Sequence, residues 1–366
     1  MSFAATPQLY RIWRRRLWQQ RPDECETRLT NMAHLMIGIF QSRTVQVNLI
    51  ARKVPVRAKK LSIVKRLTRF VDNDAVNVRQ WYHPTADWLL RSASSAGYIH
   101  LLIDSTKVSG HFRKVMVSVA YRRRSLPIAW FWVPNGRGHC TTQAQIKLLT
   151  YVQSLLPPGI KVSLAGDCEF GNPRLIEYLD YWGWDYALRQ PKDTLLMMKS
   201  SSAWRRLERF PLRPGQMLWI GTVVLTQASA YPTRVVLYWR KGEKEPWYLA
   251  TSMLSGQPAI RLYRRRMWIE EMYGDMKGHG FDLEISRLHH EDRLSRLTLA
   301  VCLLYVWLVA IGEYVLTNGY QDEVDRTDRH DLSIFRLGWD FLERRLALND
   351  PLPTVFCPNF CLMSGS

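Results

Sequence analysis

This 366-residue sequence predicts an α/β fold, and three observations carry the expectation. Between residues 98 and 188, short apolar runs and helical patterns follow one another as strand, strand, strand, helix, strand, helix, strand, which is an α/β order. Helical spacing dominates before this segment and again from residue 262 to about 348. Residues 195–260 interrupt the order with a β-rich insertion. The expected organisation is therefore a helical basic region over 1–95, the first part of a core over 96–194, and the insertion over 195–260. A helical second part follows over 261–350, and 351–366 is a tail without a readable pattern.

The elements follow from local pattern. Leu29, Met32, Ala33, Met36, Ile37 and Phe40 recur at helical spacing, so 27–40 is expected to be a helix. Residues 61–71 form another, with Leu61, Ile63, Val64, Leu67 and Phe70 as its apolar face, separated by Pro55 from what precedes it. Residues 98–103 are apolar apart from His100 and end at Asp104. Runs at 115–121 and 126–133, divided by three arginines, complete a three-stranded antiparallel meander. A helix over 141–156 stops at Pro157, Pro158 and Gly159. Ile160, Val162 and Leu164 alternate with polar residues in a strand that ends at Gly166 and Asp167. A helix over 172–182 and a strand over 184–188 follow, and the insertion offers strands at 217–226, 234–239 and 247–251. The apolar run 297–311 spans about 22 Å as a helix, short of a bilayer core of about 30 Å, so a buried core helix is expected and no membrane partner.

Composition narrows the function. Fifteen Trp, 16 Tyr and 12 Phe exclude a disordered chain, and six scattered Cys exclude a disulfide scaffold. The residues from Met1 to Tyr10 lead into a basic cluster without an apolar segment, which is unlike a signal peptide. No phosphate-cradling glycine loop is visible, so nucleotide hydrolysis is not implied. The net charge is +19, and residues 1–100 alone carry +11. Such a surface attracts polyanions, and a cytoplasmic, nucleoid-associated protein binding DNA is the favoured class. Arg52, Lys53, Arg57, Lys59, Lys60, Lys65, Arg66 and Arg69 fall within 18 positions, and no acid occurs from Thr27 through Val71. They are candidates for phosphate contact, against the alternative of a solvated helix face.

Three acids stand out by position. Asp104 and Asp167 end strands, and Glu270 lies on a helix, so the three can converge at one sheet edge. Converging carboxylates suit Mg²⁺ or Mn²⁺, and two such ions serve phosphodiester chemistry. Tyr263, Arg266, Glu270 and Lys277 are spaced i, i+3, i+7 and i+14 and share one helix face, with Leu262, Ile269, Met272 and Met276 as an apolar stripe about 100° away. On spacing alone this row reads equally well as a solvent-exposed charged face. Two neighbouring acids are set aside: Glu169 lies past the strand end, and Glu271 points about 100° away from the row.

Tyr263-x2-Arg266-x3-Glu270-x6-Lys277 resembles the Y-R-E-K signature of a family of bacterial insertion-sequence transposases with a DDE catalytic triad. The segments around Asp104 (Ile103, Ser105, Thr106) and Asp167 (Gly166, Cys168, Glu169, Phe170, Gly171) resemble its two aspartate motifs, and the likeness spans about residues 50–310. The resemblance implies a ribonuclease-H-like core, with Asp104, Asp167 and Glu270 as catalytic metal ligands for two Mg²⁺ or Mn²⁺ ions. It also implies that Tyr263, Arg266 and Lys277 contact DNA phosphates near the cleaved end. It places an aromatic of the insertion against a base flipped from that end, and Trp247 resembles it; ordinary β-core packing is the alternative for this residue. Cut-and-paste transposition through a hairpin, by a homodimer that pairs two element ends, is implied by the resemblance alone. The rival readings are an inactive or repurposed DNA-binding protein, and a metal-dependent nuclease without strand transfer.

Overall fold

A computed structural model describes residues 5–108, 112–134, 140–199 and 201–363. The first four residues of the stretch read against a signal peptide, and the last three of the tail, lie outside the described residues.

The N-terminal region is helical, as its spacing suggests. It comprises α1 (Ala5–Gln20), α2 (Glu26–Ser42), α3 (Val47–Ile50), α4 (Lys60–Val71) and α5 (Val78–Ser94). Helix α2 is buried along almost its whole length and packs against α1 and α4. Pro55 falls in the link between α3 and α4. Ile63, Leu67 and Phe70 turn into the core, but Leu61, expected on that face, is 70% exposed because at about 100° per residue it lies on the opposite side of the helix from Ile63 and Phe70.

The core sheet begins with β1 (Tyr98–Val108), β2 (Phe112–Tyr121) and β3 (Arg124–Pro134), an antiparallel meander. Helix α6 (Thr142–Leu155) leads to β4 (Lys161–Gly166), and α7 (Pro173–Tyr181) to β5 (Asp185–Arg189). The caps are those the sequence supplies: the side chain of Thr141 accepts the Ala144 N–H at the start of α6, and Asn172 accepts that of Arg174 ahead of Pro173. Strands β4 and β5 join β1 in parallel, giving the order β3-β2-β1-β4-β5. This mixed five-stranded sheet with helices against it is a ribonuclease-H-like core.

The insertion does not stand apart from that sheet. It contributes β6 (Leu195–Met198), β7 (Trp204–Arg206), β8 (Met217–Leu225), β9 (Tyr231–Tyr238) and β10 (Trp247–Thr251). The last of these returns to pair antiparallel with β5, Leu249 opposite Arg189, so one sheet runs β3-β2-β1-β4-β5-β10-β9-β8-β6-β7. Strands β6 and β7 were not expected from the sequence; they are short and lie among serines and charged residues that obscure alternation.

The chain then forms α8 (Gly256–Arg264), α9 (Met267–Met276), α10 (Glu291–Thr317) and α11 (Ile334–Leu348). Helix α10 corrects the expectation for 297–311: it has 27 residues, about 40 Å, which is long enough to cross a bilayer. Length therefore does not separate the two readings, but burial does. The apolar window is 89% buried inside the protein, wrapped by α11, α2, α5 and β3, which leaves little apolar surface for lipid.

Candidate active site

The register of the parallel pair sets the site. Ile103 lies opposite Gly166, so Asp104 and Asp167 emerge side by side where β1 and β4 diverge. The Asp104 residue is 7% exposed, and its Oδ1 accepts the Ser105 N–H at 2.8 Å. Asp167 is half-buried and caps a short 3₁₀ turn by accepting the Glu169 N–H at 2.9 Å. Glu270 stands on the first turn of α9 with its side chain 44% exposed. Burial drives the Asp104 carboxyl up to about 7; Arg266 opposes the shift, while the charges of Asp167 and Glu270 add to it.

Arg266 holds the two outer acids. Its guanidinium lies 2.6 Å from Glu270 Oε1 and 3.4 Å from Asp104 Oδ2. Among the described residues no three acid, histidine or cysteine side chains stand close enough together to hold a metal ion. The acids are thus neighbours with a cation of the chain's own between two of them. The donor set nevertheless fits a hard divalent ion, since all three acids offer only oxygen, and a carboxyl forced up by burial and by two like charges is stabilised by any cation that replaces the guanidinium.

Both acids set aside on sequence grounds are engaged elsewhere. Glu169 accepts from Ser105 Oγ at 2.5 Å, Arg113 at 2.9 Å and the Cys140 N–H at 2.8 Å. It thereby braces the turn after Asp167 against β1 and β2. Glu271 lies 3.4 Å from Arg124, away from Asp104.

The row from Tyr263 to Lys277 is not one helix. Between α8 and α9 the hydrogen bonds tighten to i→i−3, from Arg265, Arg266 and Trp268, and no Pro or Gly announces the break. The apolar stripe survives it, with Leu262, Ile269, Met272 and Met276 all buried. Lys277 caps α9 with φ −96° and ψ −133°, off the helix face; Gly278 and Gly280 were the available sequence signal. Its Nζ donates to the Lys107 carbonyl at 3.1 Å and pairs with Glu284 at 2.7 Å, which keeps it beside the end of β1.

Tyr263 is 3% exposed, and burial pushes its phenol up to about 12. Its ring lies edge-on to half-buried Trp247, 4.9 Å between centroids, and Trp247 also meets Tyr238 at 5.7 Å. The aromatic of the insertion is thus built into the wall next to Arg266, whose guanidinium lies 5.8 Å from the Tyr263 ring. The basic segment is open: Arg52, Lys53, Arg57, Lys59, Lys60, Lys65 and Arg69 are exposed and Arg66 is half-buried. A groove of about 390 Å³ between α2 and α4 includes Lys65, Arg66 and Arg69 in its lining.

Sequence reasoning passed over Lys114. It is 1% exposed in β2, with Nζ 3.6 Å from Met276 Sδ and 5.0 Å from the Tyr273 ring centre. Burial lowers its amine from 10.5 to about 8. The unfolded chain therefore binds the extra proton between pH 8 and 10.5, so stability rises with pH across that window and the burial cost is fully present below it. Lys114→Met is expected to stabilise the fold by about 3 kcal/mol at pH 7, with the gain fading by pH 10.5. Urea unfolding at the two pH values measures this, and an equal gain at both would refute it.

Among solved structures the chain is similar to a piggyBac transposase in a synaptic complex with hairpin DNA, at 10% identity and a TM-score of 0.42, over 93% of this chain and 79% of that one. No curated protein matches it. Residues 95–307, which run from β1 through the Glu270 helix into α10, match the family described as "Transposase DDE domain". With more than half of its residues inside that match, the chain belongs to the transposase DDE domain family.

Proposed function

We propose that this protein is a cut-and-paste DNA transposase whose catalytic residues are Asp104, Asp167 and Glu270. The observation that carries the reading is the meeting of Asp104 with Asp167 at the β1–β4 divergence, facing Glu270 across Arg266. The three acids would hold two Mg²⁺ or Mn²⁺ ions. Such ions, when bound, activate the attacking oxygen and stabilise the leaving one in phosphodiester exchange.

The chain's own residues do the rest. Arg266 and Lys277, at the two ends of α9, are cations that can grip phosphates on either side of the scissile bond. Trp247, with Tyr263 behind it, offers a face on which a base drawn from the duplex end can stack. The exposed basic residues from Arg52 to Arg69 grip the element end through its backbone. Water first cuts one strand and frees a 3′ hydroxyl. That hydroxyl attacks the opposite strand to close a hairpin, water reopens it, and the 3′ hydroxyl joins target DNA. A homodimer pairs the two ends, and the work is done on the cytoplasmic nucleoid.

The test is to mix the full-length protein with end-bearing and target DNA in Mg²⁺ and resolve the products on denaturing gels. Joined strands are expected, with a hairpin species before them. Cuts without joining would indicate a nuclease, and DNA retention without cuts a binding protein; either result refutes the proposal.

A further inference from the structure

The acids come from separate elements, so something must hold those elements in register. Arg266 and Lys277 both reach from α9 to β1, through Asp104 Oδ2 at 3.4 Å and the Lys107 carbonyl at 3.1 Å. Both are cations expected to leave those partners for phosphate. Tyr273 has no such alternative. It lies one turn after Glu270 on α9, is 5% exposed, and donates its hydroxyl to the main-chain carbonyl of Asp104 at 2.8 Å. One residue thereby links the glutamate's helix to the backbone of the aspartate itself. The Lys114 ammonium lies over the same ring at 5.0 Å and 6.0 Å from that of Trp132, a cation–π contact with the tyrosine.

We propose that Tyr273 is a positioning residue for the carboxylate site, tying the Glu270 helix to the Asp104 backbone so that the two acids stay neighbours and can close on a divalent ion when Arg266 leaves them for phosphate. The inference rests on the reading that Asp104 and Glu270 hold such ions. Groups that orient metal ligands are worth about 10- to 100-fold in metal affinity when removed, whereas a bond that only stabilises the fold is not.

Tyr82 supplies a matched control. It is 2% exposed and donates to the Pro127 carbonyl at 2.8 Å, joining α5 to β3. Mn²⁺ binding to the full-length protein, followed by loss of the free-ion electron paramagnetic resonance signal, separates the two tyrosines. Tyr273→Phe is expected to weaken Mn²⁺ by about 10- to 100-fold. Tyr82→Phe is expected to leave Mn²⁺ affinity unchanged while lowering the melting temperature to a similar degree. Wild-type affinity in Tyr273→Phe, or equal weakening in Tyr82→Phe, overturns the proposal. Lys114→Met, which relieves a buried charge and so is not expected to impair folding, should weaken Mn²⁺ in the same direction by a smaller factor; unchanged affinity there counts against the proposal too. If wild-type protein binds no Mn²⁺, or Asp104→Asn binds it equally well, the carboxylate reading itself falls, a result distinct from failure of Tyr273 alone.

Discussion

Asp104→Asn is expected to abolish DNA cleavage and, in the same molecule, to raise the stability of the protein without metal. The carboxyl is driven up from 3.8 to about 7 in the folded chain, chiefly by burial. Between pH 4 and 7 the folded state therefore holds a proton that the unfolded state has released, so stability falls as pH rises through that window. Above it the full cost of a buried, like-charge-flanked carboxylate is present, about 4 kcal/mol by linkage. Asparagine keeps the shape and removes the charge. Arg266 loses one partner, so the net gain at pH 8 is expected to be about 2–4 kcal/mol and to disappear near pH 4. Mg²⁺ should stabilise the wild type by binding the native state and leave Asp104→Asn unmoved. Thermal melts at pH 4 and 8 with and without Mg²⁺, beside a cleavage assay, read all of this together. A variant that cleaves at the wild-type rate, or that melts lower than the wild type at pH 8 without metal, would show that the residue is not the strained carboxylate described here. The outcome would be a stability–function trade-off at one atom: the charge that costs folding energy is the charge that a divalent ion needs.

Much of this site was legible in the sequence because its supports are local. Apolar runs announced β1 and β4, and β4 stops just before Asp167 as its pattern implies. Strand β1 does not stop at Asp104 but runs on to Val108, because β2 keeps pairing with it, Asp104 opposite Met116, after β4 has left. The polar residues of that extension hide it from the apolar pattern. Glu270 could be told from Glu271 by helical direction, and the pairing of Glu271 with Arg124 agrees. The rest depended on contacts distant in sequence. Sequence separations of 162 positions between Arg266 and Asp104, and of 169 between Tyr273 and Asp104, leave no periodic trace. The break between α8 and α9 was hidden because its residues are good helix formers that tertiary packing bends into a tighter turn. The length of α10 was underestimated for a related reason: its ends are polar while its middle is apolar, so the apolar run marked the buried part and not the helix.

The largest expected loss of stability comes from a single methyl group at Gly338 or Gly312. Helices α10 and α11 touch backbone to backbone there. A Cβ on Gly338 would lie 1.9 Å from the Leu308 carbonyl oxygen and 2.7 Å from the Gly312 nitrogen. A Cβ on Gly312 would lie 1.8 Å from the Ile334 carbonyl oxygen. The four residues form a reciprocal crossing, each glycine meeting the residue four before the other. Main-chain atoms cannot rotate out of the way, so one helix must move, and α10 is also the helix against which β3, α2 and α5 pack. Overpacking typically costs about 1–3 kcal/mol, and a clash with main chain on both helices belongs at the top of that range, about 3 kcal/mol, a large part of a typical domain's stability. Gly338→Ala and Gly312→Ala are each expected to show that loss in urea unfolding. Gly278→Ala, with no atom within 4 Å of the added carbon, should stay within about 0.5 kcal/mol of wild type. Because either methyl forces the same separation, the double variant should lose much less than the sum of the two single losses. Additive losses would mean that the helices are not held apart by one shared contact, and a near-neutral Gly338→Ala would mean that they do not approach this closely.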